Sequence, residues 1–219
     1  MERNKGKIGR FLTRHLRQRH WNRIFSRSRE SELGWYETDL SQTLKVLDAA
    51  SPAAGAIVFL PGAGTSGLVE ILRARGHRLI LNDISDEALN KLRSRTGEDE
   101  RLIWLHQDIS EPLPDEIPRA DVWIDRAVLH FLCDEKDIRG YFHNLCSGIT
   151  GGGYALLAEF STGGAHKCAG LPVHRYSLQE MTERMGAEFE LVMHEDFSYI
   201  TPWGDPRPYL YALYRKKNG

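Results

Sequence analysis

Downstream of position 55, short apolar runs alternate with stretches whose apolar residues recur at helical spacing. Such alternation is typical of a parallel sheet whose strands are joined by crossover helices. Strands are predicted at 56–60, 79–82, 102–106, 121–125, 154–160, 189–195 and 209–214, and helices at 66–75, 86–95, 136–147 and 177–185. Turn-forming residues at 201–206 join the last two strands. We therefore predict an α/β fold with a seven-stranded sheet that ends in an antiparallel hairpin.

The first predicted strand leads into the turn Pro61-Gly62-Ala63-Gly64-Thr65-Ser66-Gly67, and the second strand ends at Asp83. Glycines at such a turn let the backbone approach a ligand closely, and an acidic residue at this spacing can accept hydrogen bonds from ribose hydroxyls. The pattern predicts a nucleotide-type cofactor site. It also fits the fingerprint of nicotinamide and flavin coenzymes, and a tight turn without a ligand requires the same glycines.

The charge of the chain is unevenly distributed. Its 219 residues have a net charge of −1, yet the first thirty contain ten Lys and Arg against two Glu. Apolar residues are interleaved with these cations in the pattern of an amphipathic helix, at Ile8, Phe11, Leu12, Leu16 and Ile24. We predict a basic N-terminal helical extension and lid at 1–50 and one catalytic domain at 51–219. The near-neutral balance argues against specific nucleic-acid binding.

No apolar run approaches the roughly twenty residues of a membrane span, so we expect a soluble, cytoplasmic and monomeric protein. The three cysteines are widely spaced, which suits neither a disulfide framework nor a zinc site. His166, Cys168 and His174 lack the spacing of metal ligands, and no metal is predicted. An inert Cys168 is the default interpretation, and a reactive thiol is the alternative.

Several longer segments are more specific than the glycine turn. They are His20-Trp21, Gly34-Trp35-Tyr36, Asp83-Ile84-Ser85, Asp125-Arg126-Ala127-Val128-Leu129-His130-Phe131-Leu132, Lys167-Cys168-Ala169-Gly170-Leu171-Pro172-Val173-His174-Arg175-Tyr176 and Thr201-Pro202-Trp203-Gly204. With these segments the chain, from about His20 to Arg215, resembles the class I S-adenosylmethionine-dependent methyltransferases. It looks most like the branch that contains citrate synthase lysine methyltransferase and its bacterial relatives. The resemblance implies a Rossmann-like methyltransferase sheet and S-adenosylmethionine as cofactor.

The resemblance also implies roles in cofactor binding. The turn would pack against the methionine and ribose parts, Asp83 would accept hydrogen bonds from both ribose hydroxyls, Asp108 would accept from the adenine amino group, and Ile109 would cover the purine. Trp21 and Trp35, with Tyr36, would form a lid over the sulfonium, because aromatic faces attract cations. Ordinary helix packing is the alternative for the lid, and a helix N-cap is the alternative for Asp83. The cofactor-binding residues predicted in this way are Trp21, Trp35, Gly62, Gly64, Ser66, Asp83, Ile84, Asp108, Ile109 and Asp125.

Two residues after the fourth strand are candidates for catalysis. Asp125, which the resemblance places near the transferable methyl group, would orient an amine or stabilise its charge; a structural pairing with Arg126 is the alternative. His130 would act as a general base or as a positioning group. Alignment and exclusion of water are expected to supply most of the acceleration of methyl transfer.

One position departs from the family pattern. Leu60, followed by Pro61, stands where an acidic residue usually contacts the methionine end of the cofactor. We expect another group to compensate; weaker binding and a noncatalytic relative are the alternatives. A small-molecule nucleophile is preferred over a protein amine as acceptor. The rival functions are a noncatalytic S-adenosylmethionine-binding protein and a nicotinamide-dependent oxidoreductase.

Overall fold

The computed structural model describes residues 2–218, with side chains from residue 14 onward. The predicted helical positions Ile8, Phe11 and Leu12 therefore have side chains outside the described residues. The helices are α1 (Glu2–Arg27), α2 (Ser41–Ala50), α3 (Leu68–Ala74), α4 (Asp86–Thr96), α5 (Glu135–Gly148) and α6 (Leu178–Met185). The strands are β1 (Ile57–Leu60), β2 (Arg78–Asp83), β3 (Leu102–His106), β4 (Ala120–Arg126), β5 (Ile149–Phe160), β6 (Lys167–Cys168), β7 (Leu171–Pro172), β8 (Phe189–Ile200) and β9 (Pro206–Lys216).

Seven strands form one sheet in the order β3-β2-β1-β4-β5-β9-β8. The first five strands are parallel, whereas β9 lies antiparallel between β5 and β8. The order reverses between β1 and β4, and ligands of open α/β sheets bind at the carboxyl ends of the strands beside such a point. The predicted seven-stranded α/β fold with a C-terminal antiparallel pair is confirmed.

Two local predictions were wrong. The fifth strand was predicted to begin at position 154, after three glycines, but β5 already begins at Ile149, and its pairing with β4 shifts register between Ala120 and Val122. Helix α3 begins at Leu68, two residues later than predicted, because the Ser66 hydroxyl accepts a hydrogen bond from the Leu68 N–H at 3.2 Å. Helix α2 and the β6–β7 ribbon were not anticipated.

Alternating strand residues build a core on each face of the sheet. Leu60 and Leu81 face the layer that contains α2 and α3, whereas Phe59 and Ile80 face the layer that contains α5 and α6. On the second face, Phe59 stacks on Trp123 with ring centroids 4.1 Å apart. Both faces are therefore covered, as the nearly continuous apolar character of the central strands requires.

Helix α1 lies across the carboxyl ends of the parallel strands. Its Asn22 amide donates to Asp86 at 2.5 Å and accepts from the Ser85 hydroxyl at 2.7 Å, which ties the helix to the start of α4. On the other side His20 lies 3.0 Å from the Ala169 carbonyl oxygen in the β6–β7 ribbon. Among residues 2–218 there is no helix that is both long and apolar enough to cross a membrane.

Candidate functional site

A cleft of about 1100 Å³, its open mouth included, lies between α1 and the carboxyl ends of β1, β2, β3 and β4. The predicted cofactor-binding residues that line it are Trp21, Trp35, Gly62, Gly64, Ser66, Asp83, Ile84, Asp108 and Ile109. They come from five separate stretches of the chain, and the fold brings them to one cavity. Asp125 is the predicted cofactor-binding residue that does not line it.

The glycine turn after β1 has a conformation that requires glycine. Gly62 and Gly64 have φ values of 52° and 54°, in the left-handed region that side chains disfavour. A Cβ atom on Gly62 would also overlap the Val128 side chain. The Gly64 N–H donates to Asp83 Oδ2 at 2.8 Å, so the turn is fastened to the end of β2.

Asp83 is a buried carboxyl group at the floor of the cleft. Its Oδ1 accepts the Ser85 N–H at 2.8 Å, and burial raises its pKa to about 6, although the two backbone N–H donors pull the pKa down. The N-cap of α4 is Ser85, whose hydroxyl accepts from the Ala88 N–H. The alternative N-cap role of Asp83 is therefore taken by its neighbour, and the carboxylate keeps acceptor capacity toward the cleft.

Asp108 and Ile109 follow β3 at the other end of the cleft. Asp108 Oδ1 accepts from both the N–H and the hydroxyl of Ser110. Its Oδ2 accepts from Arg17 Nη2 at 2.8 Å, and Arg17 Nη1 also donates to Asp137 at 2.9 Å. Arg17 was not predicted as a site residue. A ligand that bonds Asp108 must share Oδ2 with this arginine or displace it.

Aromatic rings cover the cleft from the side of α1. Trp21 packs edge-on against Trp35 at 5.6 Å and against Phe131 at 4.8 Å, and Phe25 lies 6.5 Å from Trp35. All four rings line the cavity together with Tyr36. The predicted aromatic residues therefore stand over the cleft, and Phe25 and Phe131 extend the set.

A buried ion pair that was not predicted closes the wall beside Trp35. Arg126 Nε lies 2.7 Å from Glu37 Oε1, outside the angular range of a hydrogen bond, and Arg126 Nη1 donates to the Trp35 carbonyl oxygen at 2.7 Å. Burial raises the pKa of Glu37, while the Arg126 charge opposes that rise. The proposed structural pairing of Asp125 with Arg126 is absent from the described contacts, because Arg126 pairs with Glu37 instead.

The structure places Asp125 and His130 behind the wall of the cleft, each with no exposed surface. Asp125 accepts from the N–H groups of Val128 and Leu129 and from the Tyr141 hydroxyl, the last at 2.6 Å. His130 Nδ1 lies 2.7 Å from Glu159, and burial lowers the histidine pKa to about 3. Neither side chain lines the cleft, and the contact of either with a ligand stays a prediction.

Leu60 does not belong to the cleft either. Its side chain is 4% exposed and packs in the core between the sheet and α3. The position therefore contributes packing, not a polar contact for a ligand.

Metal and thiol chemistry find no support here. Among residues 14–218, whose side chains the structure describes, no group of His, Cys, Asp and Glu is arranged to hold a metal ion. Cys168 is half-buried, and this burial raises the pKa of its thiol to about 11, so the nucleophilic thiolate is disfavoured at neutral pH.

Comparison with known proteins agrees with this geometry. The family described as methyltransferase domain matches residues 60–157, from the end of β1 into β5. No curated protein matches the chain in sequence.

Solved structures match over nearly the whole chain. An S-adenosylmethionine-dependent methyltransferase from Anabaena variabilis superposes with a TM-score of 0.75 at 15% identity, covering 94% of this chain and 95% of its own. The N-methyltransferase NodS from Bradyrhizobium japonicum, in complex with S-adenosylhomocysteine, has a TM-score of 0.66 at 15% identity, covering 90% and 98%.

A third structure is the 1,6-didemethyltoxoflavin-N1-methyltransferase of Burkholderia thailandensis. It has a TM-score of 0.60 at 20% identity and covers 79% of this chain and 78% of its own. At these identities the likeness concerns the fold. Over residues 60–157 the chain matches the methyltransferase domain, and over most of its length it has the fold of S-adenosylmethionine-dependent methyltransferases.

Proposed function

We propose that this enzyme transfers the methyl group of S-adenosylmethionine to a small-molecule nucleophile. The observation that carries the proposal is the joint placement of the Gly62–Gly64 turn and the buried Asp83 carboxyl group in one cleft at the switch point of the sheet. When bound, S-adenosylmethionine supplies an electrophilic methyl group on a sulfonium. The residues present fit that cofactor, because the Asp83 carboxyl group and the rings of Trp21 and Trp35 line the same cleft.

Each part of the cofactor has a candidate partner in the cleft. Asp83 accepts hydrogen bonds from the ribose hydroxyls, since a carboxylate has acceptor sites for both. Asp108 and Ile109 serve the adenine, with Arg17 sharing the carboxylate. Trp21 and Trp35 face the sulfonium, which aromatic faces attract as they attract other cations. Residues 1–50 act in this proposal as a lid on the domain formed by 51–219.

The coverage of the cleft favours a small acceptor over a protein side chain. Helix α1 passes over the cleft with Trp21 and Phe25, and the rings of Trp35 and Phe131 pack beside them in its wall. A lysine on a folded protein would need an open channel to the methyl group. One structural neighbour is described with the small molecule 1,6-didemethyltoxoflavin bound, together with S-adenosylhomocysteine. By analogy of fold, this supports a metabolite-sized acceptor.

Catalysis in this proposal rests on alignment and exclusion of water. Asp125 and His130 are positioning groups: together with Glu159 they hold residues 127–131, whose side chains Val128 and Phe131 form part of the wall. A neutral His130 without surface exposure is unsuited to remove a proton from an acceptor. The acceptor therefore loses its proton to solvent after transfer, or arrives without it.

The branch that contains citrate synthase lysine methyltransferase is the finer assignment we propose. It is supported by the segments around Trp35, Asp125 and Lys167 that resemble it. This assignment keeps a protein amine as the second candidate acceptor.

Transfer of a radiolabelled methyl group tests the proposal. The protein is incubated with labelled S-adenosylmethionine and either a panel of small amines, thiols and phenols or purified citrate synthase. Label in one small-molecule class supports the proposal, whereas label in citrate synthase alone replaces it with the protein-amine function. Binding of S-adenosylhomocysteine without transfer to any of these would favour a noncatalytic binding protein.

A further inference from the structure

Three consecutive residues that cover the cleft are tied to the end of the sheet. The covering segment, residues 33–37, follows α1 and contributes Trp35 and Tyr36 to the cavity wall. Its Trp35 carbonyl oxygen accepts from Arg126 Nη1, and its Tyr36 carbonyl oxygen accepts from the Tyr199 hydroxyl. The Glu37 carboxylate pairs with Arg126 Nε. The segment is therefore held by side chains from β4 and β8.

Arg126 is the centre of these contacts. Its side chain is 11% exposed, and its guanidinium lies 4.9 Å from the Tyr199 ring and 5.1 Å from the Tyr209 ring. A buried guanidinium between two aromatic rings has little freedom to rotate, and cation–π attraction adds to its ion pair. The Glu37 side chain is 5% exposed, so each member of the pair requires the other for charge compensation.

The position of Arg126 in the chain connects its contacts to the covering segment with the cleft. Arg126 ends β4, and the next residues, Ala127 and Val128, line the cavity. Trp35 reaches from the covering segment to Trp21 of α1. One arginine thus links the strand end, the covering segment and, through the indole rings, the N-terminal helix.

We propose that Arg126 is a positioning residue that holds the covering segment closed over the cleft and thereby sets how long a bound cofactor is retained. The inference rests on the proposed function only for the identity of that cofactor. A buried charge pair often adds little net stability compared with an apolar pair of similar size. The contacts of Arg126 with Glu37 and Trp35 therefore fix the positions of Trp35 and Tyr36 more than they stabilise the fold.

A set of variants separates positioning from stability. Arg126→Met alone leaves the buried Glu37 without its cationic partner and is expected to destabilise the fold, so the informative variant is the double change Arg126→Met with Glu37→Leu. Tyr199→Phe removes the bond to the Tyr36 carbonyl while keeping the ring. Arg184→Met is the matched control, because Arg184 is also well paired, with Glu135 and Glu180, but lies away from the cleft.

Two measurements report the effect of these variants on the covering segment and on cofactor release. Hydrogen exchange of the amides of residues 33–37 is followed in the ligand-free protein, and dissociation of S-adenosylhomocysteine is followed by stopped-flow fluorescence. We expect the double variant to melt near the wild-type temperature, to exchange faster in the covering segment and to release S-adenosylhomocysteine at least about tenfold faster. Tyr199→Phe should speed release about fivefold, as for one lost hydrogen bond, and Arg184→Met should change neither quantity.

Unchanged exchange in residues 33–37 of both the double variant and Tyr199→Phe would overturn the inference. Equal acceleration in Arg184→Met would also overturn it, because the effect would then be one of general stability. If the wild-type protein binds no S-adenosylhomocysteine, the proposed function fails, while the exchange of the ligand-free protein still decides whether Arg126 holds the segment.

Discussion

Asp83 is the residue on which cofactor binding should depend most, because it is buried at the floor of the cleft and already fixes the Gly64 turn. Asp83→Ala removes the acceptor of both ribose hydroxyls, and hydrogen bonds to charged groups contribute about 1.5–3 kcal/mol each. We expect calorimetry to show S-adenosylhomocysteine affinity reduced at least about a hundredfold. Wild-type affinity in a folded variant would remove Asp83 from the site.

Binding should also depend on pH through the same group. Burial raises the pKa of Asp83 to about 6 in the ligand-free protein, and hydroxyl donors favour the ionised carboxylate. Affinity for S-adenosylhomocysteine should therefore rise as the pH increases through about 6 and level off above it. Calorimetry across pH 5 to 8 measures this, with Asp83→Asn as the control that loses the dependence. A flat profile in the wild-type protein would contradict the assignment.

The role of Leu60 becomes clear from its surroundings in the structure, which are those of a core residue. From the sequence alone, Leu60→Asp is expected to leave cofactor binding unchanged or to tighten it, but the side chain is buried in the core. An unpaired carboxylate there should lower the free energy of unfolding by about 3 kcal/mol or more. Leu191→Asp, at an exposed position of β8, is the matched control. Equal denaturation midpoints for the two variants would show that Leu60 is not a core residue.

Local chemistry could be predicted from the sequence, whereas distant pairs could not. The Gly62 turn and Asp83 belong to a short pattern whose geometry the backbone itself imposes. Arg17 and Asp108 are 91 residues apart, as are Arg126 and Trp35. The local sequence around each residue does not predict a partner at such a distance along the chain. The same limit explains the placement of Asp125: its position at a strand end was predictable, but the inward turn of its side chain toward Tyr141 was not.

Among the secondary-structure elements, α1 is expected to help retain the cofactor through Arg17. Arg17 binds both Asp108 and Asp137 and is partly exposed, so its loss should have a moderate effect. We expect Arg17→Ala to speed dissociation of S-adenosylhomocysteine about three- to tenfold, after allowance for solvent screening. Arg19→Ala, an exposed position on the same helix, is the control. Identical rates for the two variants would show that α1 does not retain the cofactor through Arg17.

Two buried carboxyl groups lie at the ends of β4 and β5, Asp125 and Glu159, and they should make the stability of the fold depend on pH. Burial raises the pKa of Glu159 to about 8, and burial followed by the charge of Glu159 raises the pKa of Asp125. The folded state then holds a proton that the unfolded chain releases near pH 4.5, so stability should fall as the pH rises from about 4.5 to about 8. Glu159→Gln should flatten this decline in thermal melts, relative to the exposed Glu190→Gln. If the melting temperatures of the two variants declined in parallel with pH, the raised pKa of Glu159 would be contradicted.

At the scale of the whole molecule, the seven strands of the sheet and the closing hairpin were predictable because each strand is an apolar run bounded by turn-forming residues. Element bounds were less predictable, as β5 shows, because the pairing of Ile149 with Ala120 of β4 makes the strand begin before its three glycines. The β6–β7 ribbon has two residues per strand and no periodicity to detect.

The central claim is that the cleft binds the cofactor of a methyltransferase and not a nicotinamide coenzyme, although the glycine pattern fits both. Titration calorimetry of the wild-type protein against S-adenosylhomocysteine and, separately, NADH tests this directly. The account predicts saturable binding of one S-adenosylhomocysteine per chain and no heat above dilution with NADH. Saturable binding of NADH, with none of S-adenosylhomocysteine, would contradict it.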